Sequence, residues 1–183
     1  MVYVSGGNEL LDPMKILKRL GITTGSVVAD LGCGGAGHFV IPTAKLIGSK
    51  TNVFAVDILK SVLASVTSIG RLEGVNNIKS VWADLEQKQG VNIPAGKLDF
   101  AMVINMLFLS KQHEAVLQEA VRLLKSGGKM MVIDWKAQPT NFGPKSEDRV
   151  SPNEVKAIAD RLSLKLIDEF EAGTYHFGLI FQK

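Results

Sequence analysis

The feature that most constrains the fold is a strand, a glycine-rich turn and a helix in direct succession. The apolar run 27–29 (Val-Val-Ala) predicts a buried strand, and Asp30 follows it directly. Closely spaced glycines then form a turn, and the apolar pattern over 39–47 predicts a helix. Glycines let the backbone approach a ligand closely, and a helix N-terminus offers it free N–H groups. This βα unit predicts an α/β chain whose parallel sheet binds a cofactor.

The position of Asp30 separates two kinds of cofactor. Gly32, Gly34 and Gly37 satisfy the bare G-x-G-x-x-G pattern, which is a weak signal alone. In a dinucleotide-binding fold this turn receives a pyrophosphate, which a carboxylate at the strand tip would repel. A carboxylate suits a ligand that brings a cationic group to the turn instead.

The run 30–34 (Asp-Leu-Gly-Cys-Gly) resembles motif I of class I S-adenosylmethionine (SAM) dependent methyltransferases. SAM carries an ammonium and a sulfonium, and its product is S-adenosylhomocysteine (SAH). The resemblance implies that the methionine end of SAM lies against Asp30, Gly32, Cys33 and Gly34. One departure is that the commonest motif has its third glycine at position 36, where this chain has alanine.

Two further acids follow predicted strands. The runs 51–56 and 78–83 predict strands, which end at Asp57 and Asp84. A carboxylate can accept hydrogen bonds from both hydroxyls of a ribose, and the spacing of Asp57 fits NAD enzymes as well as methyltransferases. An N-cap for a helix over 58–73 is a compatible role for Asp57, and a loop cap is the alternative for Asp84.

The resemblance assigns ligand contacts around these acids. It implies that Asp57 binds the ribose of SAM, that Asp84 accepts from the adenine amino group, and that apolar neighbours sandwich the ring. The remaining candidates for cofactor binding are Ile58, Ala83, Leu85 and, after the predicted strand 98–104, Asn105. Enzymes that methylate exocyclic amines of nucleobases show Asn/Asp-Pro-Pro-aromatic at this last position. This chain reads Asn-Met-Leu-Phe, so we do not expect that reaction.

Capping signals place the remaining elements. Asp12-Pro13 predicts a helix start, with Gly21 as its end. Residues 86–96 read as a surface loop, and the helix pattern over 113–124 is followed by Gly127-Gly128, which predicts a glycine C-cap before a strand over 129–135. The loop 136–150 is placed to build a substrate pocket or lid, and Ser151-Pro152 begins a helix with a capping box.

The C-terminus predicts a hairpin of strands over 164–171 and 175–182, the second inserting antiparallel at the sheet edge. Such an ending is typical of the methyltransferase sheet. The expected fold class is therefore α/β: a doubly wound, mostly parallel seven-stranded sheet with an antiparallel C-terminal strand, Rossmann-like. We expect a single domain, with an N-terminal lid and helix (1–24), a SAM-binding core (25–135) and a substrate-side part (136–183). Tyr3, in the lead-in, is either a cover for the cofactor or a loosely packed aromatic.

No catalytic base is assigned from the sequence. Methyl transfer from a sulfonium is an in-line displacement that expels a neutral thioether, so alignment and exclusion of water can supply most of the catalysis. An amine, thiol or hydroxyl acceptor can also need a base, for which the candidates are His176, Tyr175 and Asp134. His113 at a helix start favours a structural role.

Composition limits the partners. The net charge of +3 is scattered along 183 residues, which does not favour nucleic acid. A lone cysteine, Cys33, excludes an internal disulfide and a cysteine-rich metal site, and we predict no metal. The chain shows no membrane-spanning run and no signal peptide, so we expect a cytoplasmic monomer or homodimer that acts on a small-molecule acceptor.

Two other functions remain open. A nicotinamide-dependent oxidoreductase would explain the glycines and Asp57, but neither Asp30, nor Asp84, nor the terminal hairpin. A non-catalytic SAM-binding protein of the same fold would retain every cofactor residue. An RNA methyltransferase is disfavoured by the modest charge.

Overall fold

The computed structural model describes residues 10–138 and 140–183. In chain order its elements are α1 (Pro13–Leu20), β1 (Val28–Leu31), α2 (Val40–Ile47), β2 (Val53–Asp57), α3 (Lys60–Leu72), β3 (Ile78–Trp82), β4 (Leu98–Ile104), α4 (His113–Leu123), β5 (Leu124–Trp135), α5 (Pro152–Arg161), β6 (Lys165–Gly173) and β7 (His176–Gln182). Short 3-10 helices span Leu107–Leu109 and Ser146–Asp148. The predicted alternation of strands and helices is confirmed.

The strands form one seven-stranded sheet in the order β3-β2-β1-β4-β5-β7-β6. Strands β1 to β5 are parallel, and β7 inserts antiparallel between β5 and β6. The predicted fold class, including the antiparallel C-terminal strand, is confirmed. The strand order reverses between β1 and β4, and in open α/β sheets ligands bind beyond the carboxyl ends of strands at such a point.

Apolar residues cover both faces of the sheet, as a doubly wound fold requires. On one face, α1, α2 and α3 pack through residues that include Leu17, Val40 and Val66. On the other, α4 and α5 pack through residues that include Leu117 and Val155. Strand β1 is buried along its whole length, because helices lie on both of its sides.

The predicted N-caps of α1 and α5 and the glycine at the end of α1 are confirmed, but the predicted capping box is wrong. The carboxylate of Asp12 accepts a hydrogen bond from the Lys15 amide at 3.1 Å, and Gly21 ends α1 with φ +92°. Ser151 Oγ accepts from the Glu154 amide at 3.1 Å. The Glu154 side chain does not return to the cap but contacts His113 Nδ1 at 2.7 Å, which joins α5 to the start of α4.

The predicted glycine C-cap at Gly127-Gly128 is wrong. Helix α4 ends at Leu123, and the backbone becomes extended at Leu124, which already pairs with Leu98 in the sheet. Strand β5 therefore begins at residue 124 rather than 129. Gly127, with φ +74°, serves the irregular start of this strand, and its N–H donates to the Lys183 carbonyl at 2.8 Å.

The segment predicted as a surface loop over 86–96 is partly buried. Val91 and Ile93 are only 2% and 3% exposed. The Arg122 guanidinium donates to both of their carbonyl oxygens, and Glu119 accepts from the Val91 amide at 3.0 Å. These contacts come from α4, so the polar composition of the loop did not reveal them.

Hydrogen bonds from one arginine side chain connect separate parts of the loop 136–150. The Arg149 guanidinium donates to the carbonyl oxygens of Lys136, Gln138 and Pro144. The loop also packs Phe142 against Tyr175, with ring centroids 4.9 Å apart. The lead-in 1–9, with Tyr3, lies outside the described residues. No helix in the ranges 10–138 and 140–183 is both long and apolar enough to cross a membrane.

Candidate functional site

A cavity of about 660 Å³ opens beyond the carboxyl ends of β1, β2, β3 and β4. That volume lies within the range of small-molecule sites, roughly 300–1,000 Å³. Its described walls are the glycine turn (30 and 32–36), His38 and Phe39, residues 57–59 and 62, residues 83–86, residues 104–106, and Leu10, Leu11 and Leu109. The cavity therefore occupies the reversal point of the sheet.

The glycine turn is held against β2 and beneath the segment that follows β4. The amides of Gly32 and Cys33 both donate to the Val56 carbonyl, at 2.8 and 3.0 Å. Gly32 has φ +80°, and a Cβ there would lie 2.5 Å from Met106 Cγ. Only glycine lets this part of the turn and Met106 approach so closely.

Gly37 has a packing role. Its φ is +67°, and a Cβ there would lie 2.7 Å from Ile41 Cδ1 and 3.1 Å from Val66 Cγ2. The third glycine of the pattern thus lets the turn close onto α2 and α3. The shift from the commonest position, where this chain has Ala36, leaves that close packing intact.

Asp30 is a nearly isolated carboxylate at the cavity floor. It is 3% exposed and accepts no hydrogen bond from the residues that the structure describes. Burial, and secondarily the charge of Asp57, raises the pKa of Asp30 to about 7. A cationic group in the cavity would supply the favourable interaction that this carboxylate lacks.

Asp57 ties the turn to the start of α3. Its Oδ1 accepts from the Leu59 amide at 2.9 Å and its Oδ2 from the Gly34 amide at 3.3 Å. The interpretation of Asp57 as the N-cap of α3 is wrong, because Leu59 occupies that position. A carboxylate offers about four acceptor sites, so two remain for a diol.

Asp84 combines a loop contact with a place in the cavity wall. Its Oδ1 accepts from the Glu86 amide at 2.9 Å, so the loop-cap interpretation describes one of its oxygens. Ala83 and Leu85 beside it are buried, whereas Ile58 across the cavity is 53% exposed. Apolar side chains thus flank Asp84, as a planar ring would need.

Asn105 adopts a conformation that is rare for residues other than glycine. Its φ is +51°, and its N–H donates to the Ile133 carbonyl at 2.8 Å. Its Oδ1 is buried and has no hydrogen-bond partner in the described part of the chain. Asn105 is also a lining residue of the cavity, so this acceptor lies beside the space that a ligand would fill.

Glu86 is a cavity residue that the sequence did not single out. Its carboxylate accepts from Ser110 Oγ at 2.5 Å and from Gln112 Nε2 at 2.9 Å, which joins the loops after β3 and β4. Phe39, Met106 and Leu109 were also missed. No motif marked them, since their positions follow from tertiary packing.

The cavity has a consistent electrostatic character. Asp30, Asp57, Asp84 and Glu86 line it, whereas no lysine or arginine does so among the described lining residues. Such a site favours a cationic ligand and opposes a pyrophosphate. These acceptor groups therefore fit SAM, whose ammonium and sulfonium are positive and whose ribose and adenine offer hydrogen-bond donors.

The residues considered as bases lie elsewhere. His176 is fully buried, with its ring 4.4 Å from that of Trp135, and burial together with Lys136 and Arg149 lowers its pKa to about 4. Tyr175 packs on Phe142, and Asp134 is fully buried beneath the segment after β4. None of the three is among the described residues that line the cavity.

The described residues show neither a reactive cysteine nor a metal site. Burial, with the charges of Asp30 and Asp57, raises the pKa of the Cys33 thiol far above its usual range, so the thiolate is disfavoured. Within residues 10–138 and 140–183, no group of three or more His, Cys, Asp and Glu side chains is arranged to hold a metal ion.

The fold and the cavity together define a class I SAM-dependent methyltransferase. A family model described as a methyltransferase domain matches residues 22–167. The chain therefore belongs to the methyltransferase-domain family, and SAM as its cofactor is confirmed at the level of the family.

Individual relatives agree with this class. A SAM-dependent methyltransferase from Aquifex aeolicus is 25% identical, with a TM-score of 0.88 over 97% of this chain and 93% of that one. The geranyl diphosphate C-methyltransferase of Streptomyces coelicolor A3(2), solved with SAH, is 12% identical with a TM-score of 0.75, over 93% of this chain and 77% of that one, and shares the fold alone.

A curated relative is a ubiquinone/menaquinone biosynthesis C-methyltransferase of Pseudomonas savastanoi. The match is 28% identical over 143 residues, and it covers 75% of this chain and 52% of that protein. The chain thus spans about half the length of the curated relatives that it matches first.

Proposed function

We propose that this protein transfers the methyl group of SAM to a small, uncharged acceptor. The observation that carries the proposal is the cavity at the sheet reversal point, with four carboxylates and no lysine or arginine among its described lining residues. A cationic cofactor offsets this charge, whereas a nicotinamide dinucleotide would add a pyrophosphate to it. Family membership supports the same reaction class.

Three of the four acids have distinct roles in holding the cofactor. Asp30 binds the cationic methionine end, next to the glycine turn. Asp57 uses its two remaining acceptor sites for the ribose diol, and Asp84 uses Oδ2 for the adenine amino group. Ile58, Ala83 and Leu85 enclose the ring. When bound, SAM supplies an activated methyl group and a neutral leaving group.

The protein contributes alignment and exclusion of water rather than an assigned base. Asp134, Tyr175 and His176 do not line the cavity in the described chain. Placing the acceptor in line with the methyl group, in an enclosed site, can supply several kcal/mol of the barrier reduction, about 7–11 in the best-aligned intramolecular reactions.

The walls of the cavity support an uncharged acceptor. Leu10, Leu11, Phe39, Ile104 and Met106 line it, and an anionic group would meet the carboxylates of the same cavity. The curated relatives are C-methyltransferases of quinone biosynthesis, which agrees with an apolar acceptor, although this chain spans 52% of their length. We propose no particular acceptor molecule.

Calorimetric titration tests the cofactor. We expect SAM and SAH to bind in the micromolar range and NAD not to bind. Incubation of the protein with SAM and uncharged phenolic acceptors, followed by mass spectrometry, then tests transfer. Binding of NAD without SAM would overturn the proposal, and SAM binding without turnover of any acceptor would favour a non-catalytic SAM-binding protein.

A further inference from the structure

Asp134, at the end of β5, is a fully buried carboxylate outside the cavity lining. Its Oδ2 accepts from the Leu107 amide at 3.0 Å, and its Oδ1 accepts from the Trp135 amide at 2.8 Å. The side chain therefore binds the first amide of the 3-10 helix Leu107–Leu109.

That helix belongs to the segment 105–110, which forms one wall of the cavity. Asn105 contributes a buried Oδ1 that has no hydrogen-bond partner among the described residues, and Met106 Cγ occupies the space that a Cβ on Gly32 would need. At its far end, Ser110 Oγ donates to Glu86. Asp134 therefore holds the segment at Leu107, and Glu86 holds it at Ser110.

We infer that Asp134 is a positioning residue, which holds Asn105 in its left-handed conformation so that Asn105 Oδ1 accepts a hydrogen bond from the bound cofactor. Three features carry the inference: the hydrogen bond from the Leu107 amide to Asp134, the positive φ of Asn105, and its Oδ1, which has no hydrogen-bond partner among the described residues. The inference rests on the proposed function, because the ligand that donates is SAM or SAH.

The role requires an ionised carboxylate. Burial raises the pKa of Asp134 to about 6, against the amides of Trp135, Leu107 and Phe108 and the charge of His113. His113, on α4, is the titratable group whose charge acts on Asp134, and it is itself bonded to Glu154 of α5. Below pH 6 a protonated oxygen would face an N–H donor, so the hydrogen bond that holds Leu107 should weaken.

A double-mutant cycle on SAH affinity tests the coupling. Asp134→Asn and Asn105→Ala should each weaken SAH binding about five- to tenfold at pH 7.5, as for the loss of one hydrogen bond. The double variant should bind no more weakly than the weaker single one, because both changes remove the same interaction. The inference would be overturned if the two losses of SAH affinity multiply in the double variant, or if Asp134→Asn leaves SAH affinity unchanged.

Glu119→Gln is the matched control. Glu119 is a second buried carboxylate that accepts a backbone amide, that of Val91, but it lies outside the described cavity lining. This variant should unfold more easily and still bind SAH with the affinity of the unchanged protein. Equal losses of SAH affinity in Glu119→Gln and Asp134→Asn would mean that general destabilisation explains both.

Amide hydrogen exchange in the ligand-free protein separates this inference from the proposed function. Asp134→Asn should speed exchange at the Leu107 amide about tenfold or more, and in the unchanged protein the same amide should lose protection between pH 7.5 and pH 5, after correction for intrinsic rates. Unchanged exchange at this amide in Asp134→Asn would overturn the positioning role. Failure of the unchanged protein to bind SAM or SAH would instead overturn the proposed function.

Discussion

The protonation state that is favoured for Asp30 differs between the free protein and the complex. In the free protein it is buried and accepts no hydrogen bond from the described residues, and its pKa is raised to about 7 by burial and by Asp57. A cationic ligand reverses this preference, because it stabilises the ionised form. The same burial that disfavours the charge in the free protein makes the carboxylate a strong partner for an ammonium or sulfonium.

This reversal predicts pH-dependent cofactor binding. Below pH 7, SAM binding should release a proton from Asp30, so affinity should rise up to about tenfold per pH unit between pH 5.5 and 7 and level off above pH 7.5. Calorimetry in phosphate and imidazole buffers, whose ionisation enthalpies differ, would measure the released proton.

Asp30→Asn is the decisive variant for this prediction. It should bind SAM more weakly at pH 8 and should lose most of the proton release. Asp12→Asn replaces an acid outside the cavity and should leave both quantities unchanged, although it alters the cap of α1. Full proton release in Asp30→Asn would assign the titration to another group.

At the scale of elements, the glycine turn and the segment after β4 are fitted to each other. Gly32 combines φ +80° with a site where a Cβ would lie 2.5 Å from Met106 Cγ. Gly25 has a similar φ of +87°, yet no atom lies within 4 Å of its virtual Cβ. The two positions therefore separate the cost of backbone strain from the cost of the contact.

We predict that Gly32→Ala lowers the free energy of unfolding by about 2–4 kcal/mol, and Gly25→Ala by only about 1–2 kcal/mol. Met106→Ala, introduced into Gly32→Ala, should recover part of the difference by removing the Cγ that the new methyl meets. Urea denaturation of the four proteins measures these values. Equal losses of unfolding free energy in Gly32→Ala and Gly25→Ala would show that Met106 moves away from the new methyl group without a free-energy cost.

The elements that could be predicted from the sequence are those specified locally. Asp12-Pro13 and Ser151-Pro152 carry their N-cap within four residues. Asp30, Asp57 and Asp84 lie at or just beyond the carboxyl ends of β1, β2 and β3, whose parallel order brings these ends to one edge of the sheet. The early start of β5 at Leu124 could not be predicted, because pairing with Leu98 extends it through two glycines.

The rest of the site depends on contacts between distant segments. Glu86 accepts hydrogen bonds from Ser110 and Gln112, and Asp134 accepts from the Leu107 amide, 27 residues earlier in the chain. Their residue types are ordinary for a loop and a strand end, so no spacing revealed them. His176 shows the converse: its type suggested chemistry, but strand pairing with Trp135 buries it inside the sheet.

For the whole molecule, β7 is the strand that completes the sheet and both cores. It pairs with β5 on one side and β6 on the other, and Phe177, Leu179 and Phe181 pack on one face while Ile180 packs on the other. His176 begins this strand, fully buried, and neither of its ring nitrogens has a hydrogen-bond partner among the described residues. Such a group makes global stability depend on pH.

The sign of this dependence follows from proton binding. Burial, with Lys136 and Arg149, lowers the pKa of His176 to about 4 in the folded protein, from about 6.5 in the unfolded chain. Between these values the unfolded chain binds more protons, so the contribution to stability is full above pH 6.5 and is lost as the pH falls toward 4. The loss should reach about 1–3 kcal/mol near pH 4.

His176→Phe should remove this loss while it fills the same aromatic cluster. Denaturant unfolding from pH 4 to 8 should give two curves that approach each other as the pH rises and diverge below pH 6.5, with the variant less sensitive to acid. Asp30 and Asp134 titrate in the same range with the opposite slope, but they are present in both proteins, so the difference curve isolates His176. A flat difference curve would mean that the imidazole gains a partner when protonated, which would return His176 to consideration as a base.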